Sequence, residues 1–175
     1  MDKVYRTELT PVAFLHRNAY VHPDKTAVVH GAQRFSYAQF AERVHRLTSA
    51  LRAADLEKHQ RVAFLAPNIP PLLEAHFAVP AAGGILVAIN TRLNSFEIEY
   101  ILQHSGAQLL FVDRELYPQV ADLDLSALQV IEIHDSGAPD DPYETFIAAG
   151  SPKPGPDLLQ DEEEPIAINY TSGTT

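Results

Sequence analysis

The chain has 175 residues, 46% of them apolar and 21% charged, which suits one packed domain or part of a larger one and excludes wholesale disorder. A formal charge of −10 argues against non-specific binding to nucleic acid or anionic lipid, which needs clustered Lys and Arg, so no nucleic-acid partner is expected. With no cysteine, disulfides and Cys-based zinc sites are excluded.

Residues 1–15 mix Asp2, Lys3, Arg6 and Glu8 with isolated apolar residues, leaving no continuous apolar stretch of signal-peptide length, and this gives a cytoplasmic expectation. Thr10-Pro11 reads as an N-cap followed by proline in the first helical position, opening a helix with Phe14, Ala19 and Val21 that breaks at His22-Pro23-Asp24. A β-branched run at residues 26–30, a turn at Gly31-Ala32-Gln33 and a second strand at Arg34-Phe35-Ser36 predict an antiparallel hairpin. Ser36 and Gln39 form a capping box for a long helix whose Phe40, Val44, Leu47 and Leu51 share one face.

Residues 61–65 read as a buried strand, 66–70 as a loop and 71–82 as a helix ended by Gly83-Gly84. The apolar stretch 69–89 approaches membrane-spanning length, but Glu74, His76, Pro80 and the glycine pair favour a buried helix and strand, so no membrane span is expected. A strand at 85–89 precedes a helix capped by Asn94 and Glu97 that carries Phe96, Tyr100 and Ile101 and ends at Ser105-Gly106. Strands follow at 108–112 and 128–133, separated by a helix at 114–121. Alternating strands and helices imply an α/β fold of mainly parallel βαβ units with an early hairpin. From 135 to 164 prolines and the acidic run 161–164 predict mostly loop around one short helix near 143–149. An apolar strand at 165–170 then delivers the closing loop.

That loop, Thr171, Ser172, Gly173, Thr174 and Thr175, carries only hydroxyls and a glycine directly after a strand. Its amides and hydroxyls suit phosphate oxygens, and Gly173 permits close backbone approach. By residue type alone it reads either as an ordinary polar turn or as a phosphate-binding loop. Tyr170-Thr171-Ser172-Gly173-Thr174-Thr175 resembles the opening of the signature loop of the adenylate-forming superfamily. Phe35-Ser36-Tyr37, Arg61-Val62-Ala63-Phe64 and Asn90-Thr91-Arg92-Leu93 with Glu97 and Tyr100 are similar to the same family, so the resemblance runs from about Leu9 to Thr175. Within the family, Ala66-Pro67-Asn68 and Ile89-Asn90-Thr91-Arg92-Leu93 resemble AMP-forming acyl-CoA synthetases of the medium- or long-chain fatty type. The Asp-Pro-x-Tyr-Pro pattern usual in peptide-synthetase adenylation domains is absent. Firefly-luciferase-like members share this layout, and their oxidative activity ranks below the ligase reading.

The resemblance implies that residues 1–175 are the N-terminal portion of the large adenylate-forming domain. It implies ATP and Mg²⁺ as cofactors, coenzyme A as co-substrate and a small-molecule carboxylic acid, fatty by branch, as the group activated. Thr171, Ser172, Gly173, Thr174 and Thr175 would hold the departing pyrophosphate; no catalytic or metal-binding residue is assigned, since in the family the adenine site, acyl pocket and catalytic lysine come later in the chain. The 175 residues alone are expected to lack ligase activity, and the alternative is a truncated, non-catalytic nucleotide-binding or interaction module. Two departures fall between the long helix and the next strand. Relatives usually carry glycine where Asp55 stands and Gly-Asp where His59-Gln60 stands, which places a steric cost at a left-handed helix cap.

The remaining polar residues take plainer roles. The eight histidines, at 16, 22, 30, 45, 59, 76, 104 and 134, show no paired spacing suited to a metal and are read as surface or packing residues. The run 161–164 reads as a solvated loop rather than a Mg²⁺ site. Asn68 and Asn90, Thr91 and Arg92 follow strands and are secondary site candidates, with capping and loop packing as the plainer explanation.

Overall fold

The computed structural model describes residues 8–171. Helix α1 (Pro11–Val21) starts where Thr10 accepts a hydrogen bond from the Ala13 amide, and it packs inward through Val12 and Leu15 while Phe14 points to solvent. Strands β1 (Thr26–His30) and β2 (Gln33–Ser36) pair antiparallel, as the turn residues predict. The reciprocal Ser36–Gln39 capping box opens α2 (Tyr37–Ala53), whose Phe40, Val44, Leu47 and Leu51 are all buried.

A five-stranded parallel sheet follows, in the order β6-β5-β3-β4-β7. Its strands are β3 (Arg61–Leu65), β4 (Ile85–Ala88), β5 (Ala107–Asp113), β6 (Gln129–Ile133) and β7 (Ala167–Ile168). The connection through α3 (Pro70–Ala81) steps to one side of β3, and the return through α4 (Ser95–Ser105) steps back past it. Right-handed crossovers in opposite directions put their helices on opposite faces, and the core divides accordingly. Val62, Phe64, Leu86 and Phe111 join the cluster of α2, α3 and α5 (Pro142–Ala148), while Ala63, Leu65, Val87 and Leu110 join Ile98, Ile101 and Leu102 of α4. Burial on both faces is why these strands read as continuous apolar runs.

Two predicted elements come out differently. The helix expected at 114–121 is a single 3-10 turn, Tyr117–Gln119, inside a succession of three-residue-spaced turns closed by the amides of Leu116, Tyr117, Gln119 and Val120. Pro118 has no amide to donate, and Asp113 draws the Glu115 amide into a side-chain turn instead. The strand expected at 165–170 keeps only two ladder residues, Ala167 and Ile168, paired with Leu86 and Val87 of β4 at the sheet edge.

The core has one large polar insertion. Glu74, fully buried on α3, accepts from Arg43 Nε at 2.5 Å and from the Tyr143 hydroxyl at 2.5 Å, while Arg43 also donates to both oxygens of Glu144 at 2.6 and 2.8 Å. Burial pushes the Glu74 carboxyl above its ordinary range against the pull of Arg43. Desolvation of Arg43 is outweighed by hydrogen bonds and charge from Glu144 and Glu74, so its guanidinium titrates above its ordinary range. Three helices, α2, α3 and α5, are thereby tied by side chains distant in sequence.

The substitutions foreseen between α2 and β3 take the strained conformation. Asp55 has φ of 59° and His59 has φ of 66°, both left-handed. His59 is compensated, since its amide donates to the Gly83 carbonyl at 2.7 Å and its ring lies 3.4 Å from Glu164. Asp55 is exposed. Asp55→Gly is therefore expected to stabilise the fold by about 0.5–1 kcal/mol, the steric relief exceeding the entropy glycine loses on folding. A rise in the urea midpoint checks this; a fall would mean that the Asp55 side chain contributes more than its backbone costs.

Candidate functional site at the carboxyl edge of the sheet

In a parallel sheet all strands deliver their exit loops to one edge, and ligands of open α/β sheets bind there. The exits here are residues 66–68 after β3, 89–93 after β4, 114–116 after β5, 134–136 after β6 and 169–171 after β7. Of the predicted phosphate loop, Thr171 lies within the described residues and is exposed; Ser172, Gly173, Thr174 and Thr175 lie outside them.

Thr171 lines a cleft of about 290 Å³ together with Asn90, Leu93, Phe96, Glu97, Tyr100, Ile101 and Tyr170. The structure thus brings Thr171 and Asn90 together. Asn90 Oδ1 accepts from the Arg92 amide at 3.0 Å, a side-chain turn that shapes the exit of β4 and accords with the loop-packing explanation. The Thr91 carbonyl accepts a hydrogen bond from the Gln119 side-chain Nε2 at 3.4 Å. Asn68 is elsewhere: it lines a separate hollow with Val28, Val29, His30 and Leu73, and the N-cap of α3 is Ile69, which makes no side-chain cap.

The aromatic wall of the cleft comes from α4. Its Asn94–Glu97 capping box and left-handed Gly106 fix both ends, and Ile98, Ile101 and Leu102 fix its inner face. Phe96 and Tyr100 are consequently turned outward, 77% and 55% exposed. Sequence reasoning grouped them with Ile101 as one helical set; the 3.6-residue period places them on the flank towards β7 instead. Tyr170 packs against this flank, and burial together with the neighbouring Tyr100 pushes its phenol above the ordinary range.

The other half of the edge has the opposite character. Asp113, Arg114, Glu115, His134 and Asp135 line a cleft of about 480 Å³ with Pro67 and Ile69. Burial pushes the Asp113 carboxyl up, and the charges of Glu115, Asp135 and Asp141 push the same way, although the Glu115 amide pulls it down. Three carboxylates with Arg114 and His134 gather beyond β5 and β6, whereas the cleft beside β4 and β7 presents hydroxyl, amide and aromatic groups with the single carboxylate Glu97. This partition was not legible in sequence, because the acidic residues lie in separate segments of the chain.

Several histidines serve packing and pairing. His30 sits 2.7 Å from Asp135, His45 lies 3.2 Å from His16 and is held below its ordinary range by burial, and His104 contacts Tyr170. In the acidic run, Glu162 accepts from the Leu9 amide and Glu164 pairs with Lys58 at 3.0 Å, both on an exposed loop. Among the described residues no helix is long and apolar enough to cross a membrane.

A family model described as AMP-binding enzyme matches residues 15–175. Curated relatives include a peroxisomal benzoate–CoA ligase of Arabidopsis thaliana, 38% identical over 95% of this chain and 32% of that protein. A peroxisomal trans-cinnamate:CoA ligase of Petunia hybrida is 38% identical over 95% of this chain and 34% of its own length. Among solved structures, an anthranilate CoA ligase in complex with anthranoyl-AMP superimposes with a TM-score of 0.87 at 24% identity, covering 98% of this chain and 34% of that one. A long-chain-fatty-acid-CoA ligase from Archaeoglobus fulgidus gives 0.84 at 22% identity, covering 98% of this chain and 36% of that one. These two likenesses show the fold. The chain spans about a third of the length of the curated relatives it matches.

Proposed function

We propose that this chain, which belongs to the AMP-binding enzyme family, supplies the phosphate-gripping part of a ligase that activates a carboxylic acid with ATP and passes it to coenzyme A. The observation that supports the reading is the position of Thr171, which follows β7 and lines the cleft on the less acidic half of the sheet edge; Ser172, Gly173, Thr174 and Thr175 follow it in the sequence. In that reaction the carboxylate attacks the α-phosphorus, pyrophosphate leaves, and the thiol sulfur then displaces AMP from the acyl-adenylate. The loop's hydroxyls and amides hold the β- and γ-phosphates, so that the α-phosphorus is presented in line to the acid; their work is positioning.

Among the described residues Glu97 is the one carboxylate on the Thr171 cleft, and its Oε2 already accepts from the Asn94 amide at 2.9 Å. The described part of this cleft therefore does not fit a protein-built Mg²⁺ cage. Coenzyme A likewise finds no basic cleft among the residues around Thr171, and its site is proposed for other parts of the enzyme. The 175 residues alone are proposed to lack ligase activity for the same reason.

The acid is proposed to be apolar and monocarboxylic, a fatty acid or an aryl acid of the kind named for the relatives above. ATP–pyrophosphate exchange by the full-length enzyme, run across fatty, aryl and amino acids, is expected to respond to the first two classes. Exchange supported only by amino acids would move the protein to a different branch of the family.

A further inference from the structure

β7 is a weak support for the loop it carries. Its ladder with β4 is Leu86↔Ala167 and Val87↔Ile168, and it ends there. Asn169, Tyr170 and Thr171 follow without sheet pairing, and ordering each of them costs conformational entropy that something else must offset. The neighbouring α4 is by contrast rigid, capped at both ends and anchored by Ile98, Ile101 and Leu102.

One side chain joins the two. His104, in the last turn of α4, shares a hydrogen bond of 2.8 Å between its Nδ1 and the Tyr170 hydroxyl. Its ring is gripped from both sides: it stacks on Tyr100 one helical turn earlier, with centroids 5.3 Å apart and planes at 18°, and meets the Tyr170 ring edge-on at 5.8 Å and 82°. Tyr100 and Tyr170 also border the cleft that Thr171 lines. Orientation of Tyr170 therefore constrains the backbone that leads into Thr171.

Resting on the phosphate-loop reading above, we propose that His104 is a positioning residue for nucleotide binding, acting through Tyr170 to hold the root of the loop against α4. It touches no substrate atom itself. Its contribution is to reduce the conformational freedom that the loop must lose when polyphosphate binds.

The test uses the full-length enzyme and steady-state pyrophosphate exchange with Mg-ATP varied. His104→Leu and Tyr170→Phe are each expected to raise the KM for ATP about 3- to 10-fold, the effect of losing one hydrogen bond, with kcat and the KM for the acid little changed. The double variant should be no worse than the poorer single one, because both remove the same bond. His104→Asn, which returns a polar atom near the position of Nδ1, should restore most of the affinity. A merely structural defect would lower the active fraction, and hence kcat, without a selective effect on ATP. Unchanged ATP KM in both single variants, or effects that multiply in the double, would overturn the proposal. Thr174→Ala/Thr175→Ala separates the two readings. If it loses ATP use while His104→Leu does not, only the positioning role fails; if it too behaves as wild type, the phosphate-loop reading fails and this proposal with it.

Discussion

Replacing Arg43 by Met is expected to cost about 3–5 kcal/mol of folding stability, the penalty for removing one partner of a buried ion pair. The reason is Glu74, whose side chain has no solvent exposure and depends on Arg43 and Tyr143 for its polar contacts. Met fills the guanidinium's volume but offers no donor, so the carboxylate must either stay charged in an apolar surround or take up a proton. Glu144, 18% exposed, loses its partner too but retains access to water.

The pH dependence has a definite sign. Burial holds the folded-state pKa of Glu74 above the ordinary carboxylate value of 4.5. A folded pKa raised above the unfolded one gives a stability contribution that is complete below the unfolded pKa and is lost as pH rises through the folded pKa. Removing Arg43 takes away the charge that pulls Glu74 down and widens that window. The cost of Arg43→Met should therefore be larger at neutral pH than in acid buffer near the ordinary carboxylate value. Adding Glu74→Gln, which keeps an acceptor for Tyr143 without the charge, should recover about half the loss or more and flatten the pH dependence. Urea unfolding at the two pH values checks this; a loss below about 1 kcal/mol, typical of exposed pairs, would show that the three helices do not depend on the network.

What could be read from the sequence was whatever local chemistry decides. Thr10 before Pro11, Ser36 with Gln39, and Asn94 with Glu97 each announced a helix start, and each makes its hydrogen bonds as foreseen. The strands at 61–65 and 108–112 were legible because both of their faces are buried. Features decided by contacts distant in sequence were not. Arg43, Glu74, Tyr143 and Glu144 are individually ordinary, and only the packing of α2, α3 and α5 makes them a network. The extent of β7 was not legible either, since its ladder with β4 covers only Leu86↔Ala167 and Val87↔Ile168 and stops before the end of β4. At the site, a strand followed by a loop was legible from residue types, although the strand ends at Ile168 rather than Tyr170, while the acidic half of the edge and the His104–Tyr170 contact required the strand order.

That strand order also sharpens what the loop must do. A triphosphate approaching the carboxyl edge meets Asp113, Glu115 and Asp135 on one side and the exits of β4 and β7 on the other. On the proposed reading, the hydroxyls and amides of the loop supply attraction to the phosphates without a charged side chain of their own. Hydrogen bonds to a charged acceptor are worth about 1.5–3 kcal/mol each. Thr174→Ala/Thr175→Ala in the full-length enzyme removes two hydroxyls and leaves the backbone amides in place. The expected result is a fall in kcat/KM for ATP of about 10²-fold or more, at roughly 1.4 kcal/mol per decade. The KM for the acid should change far less, because the acid is not proposed to touch these hydroxyls. Thr174→Ser/Thr175→Ser, which keeps both hydroxyls, should return most of the lost activity. Wild-type kinetics for ATP in the double alanine variant would mean that the segment after Tyr170 is an ordinary polar turn.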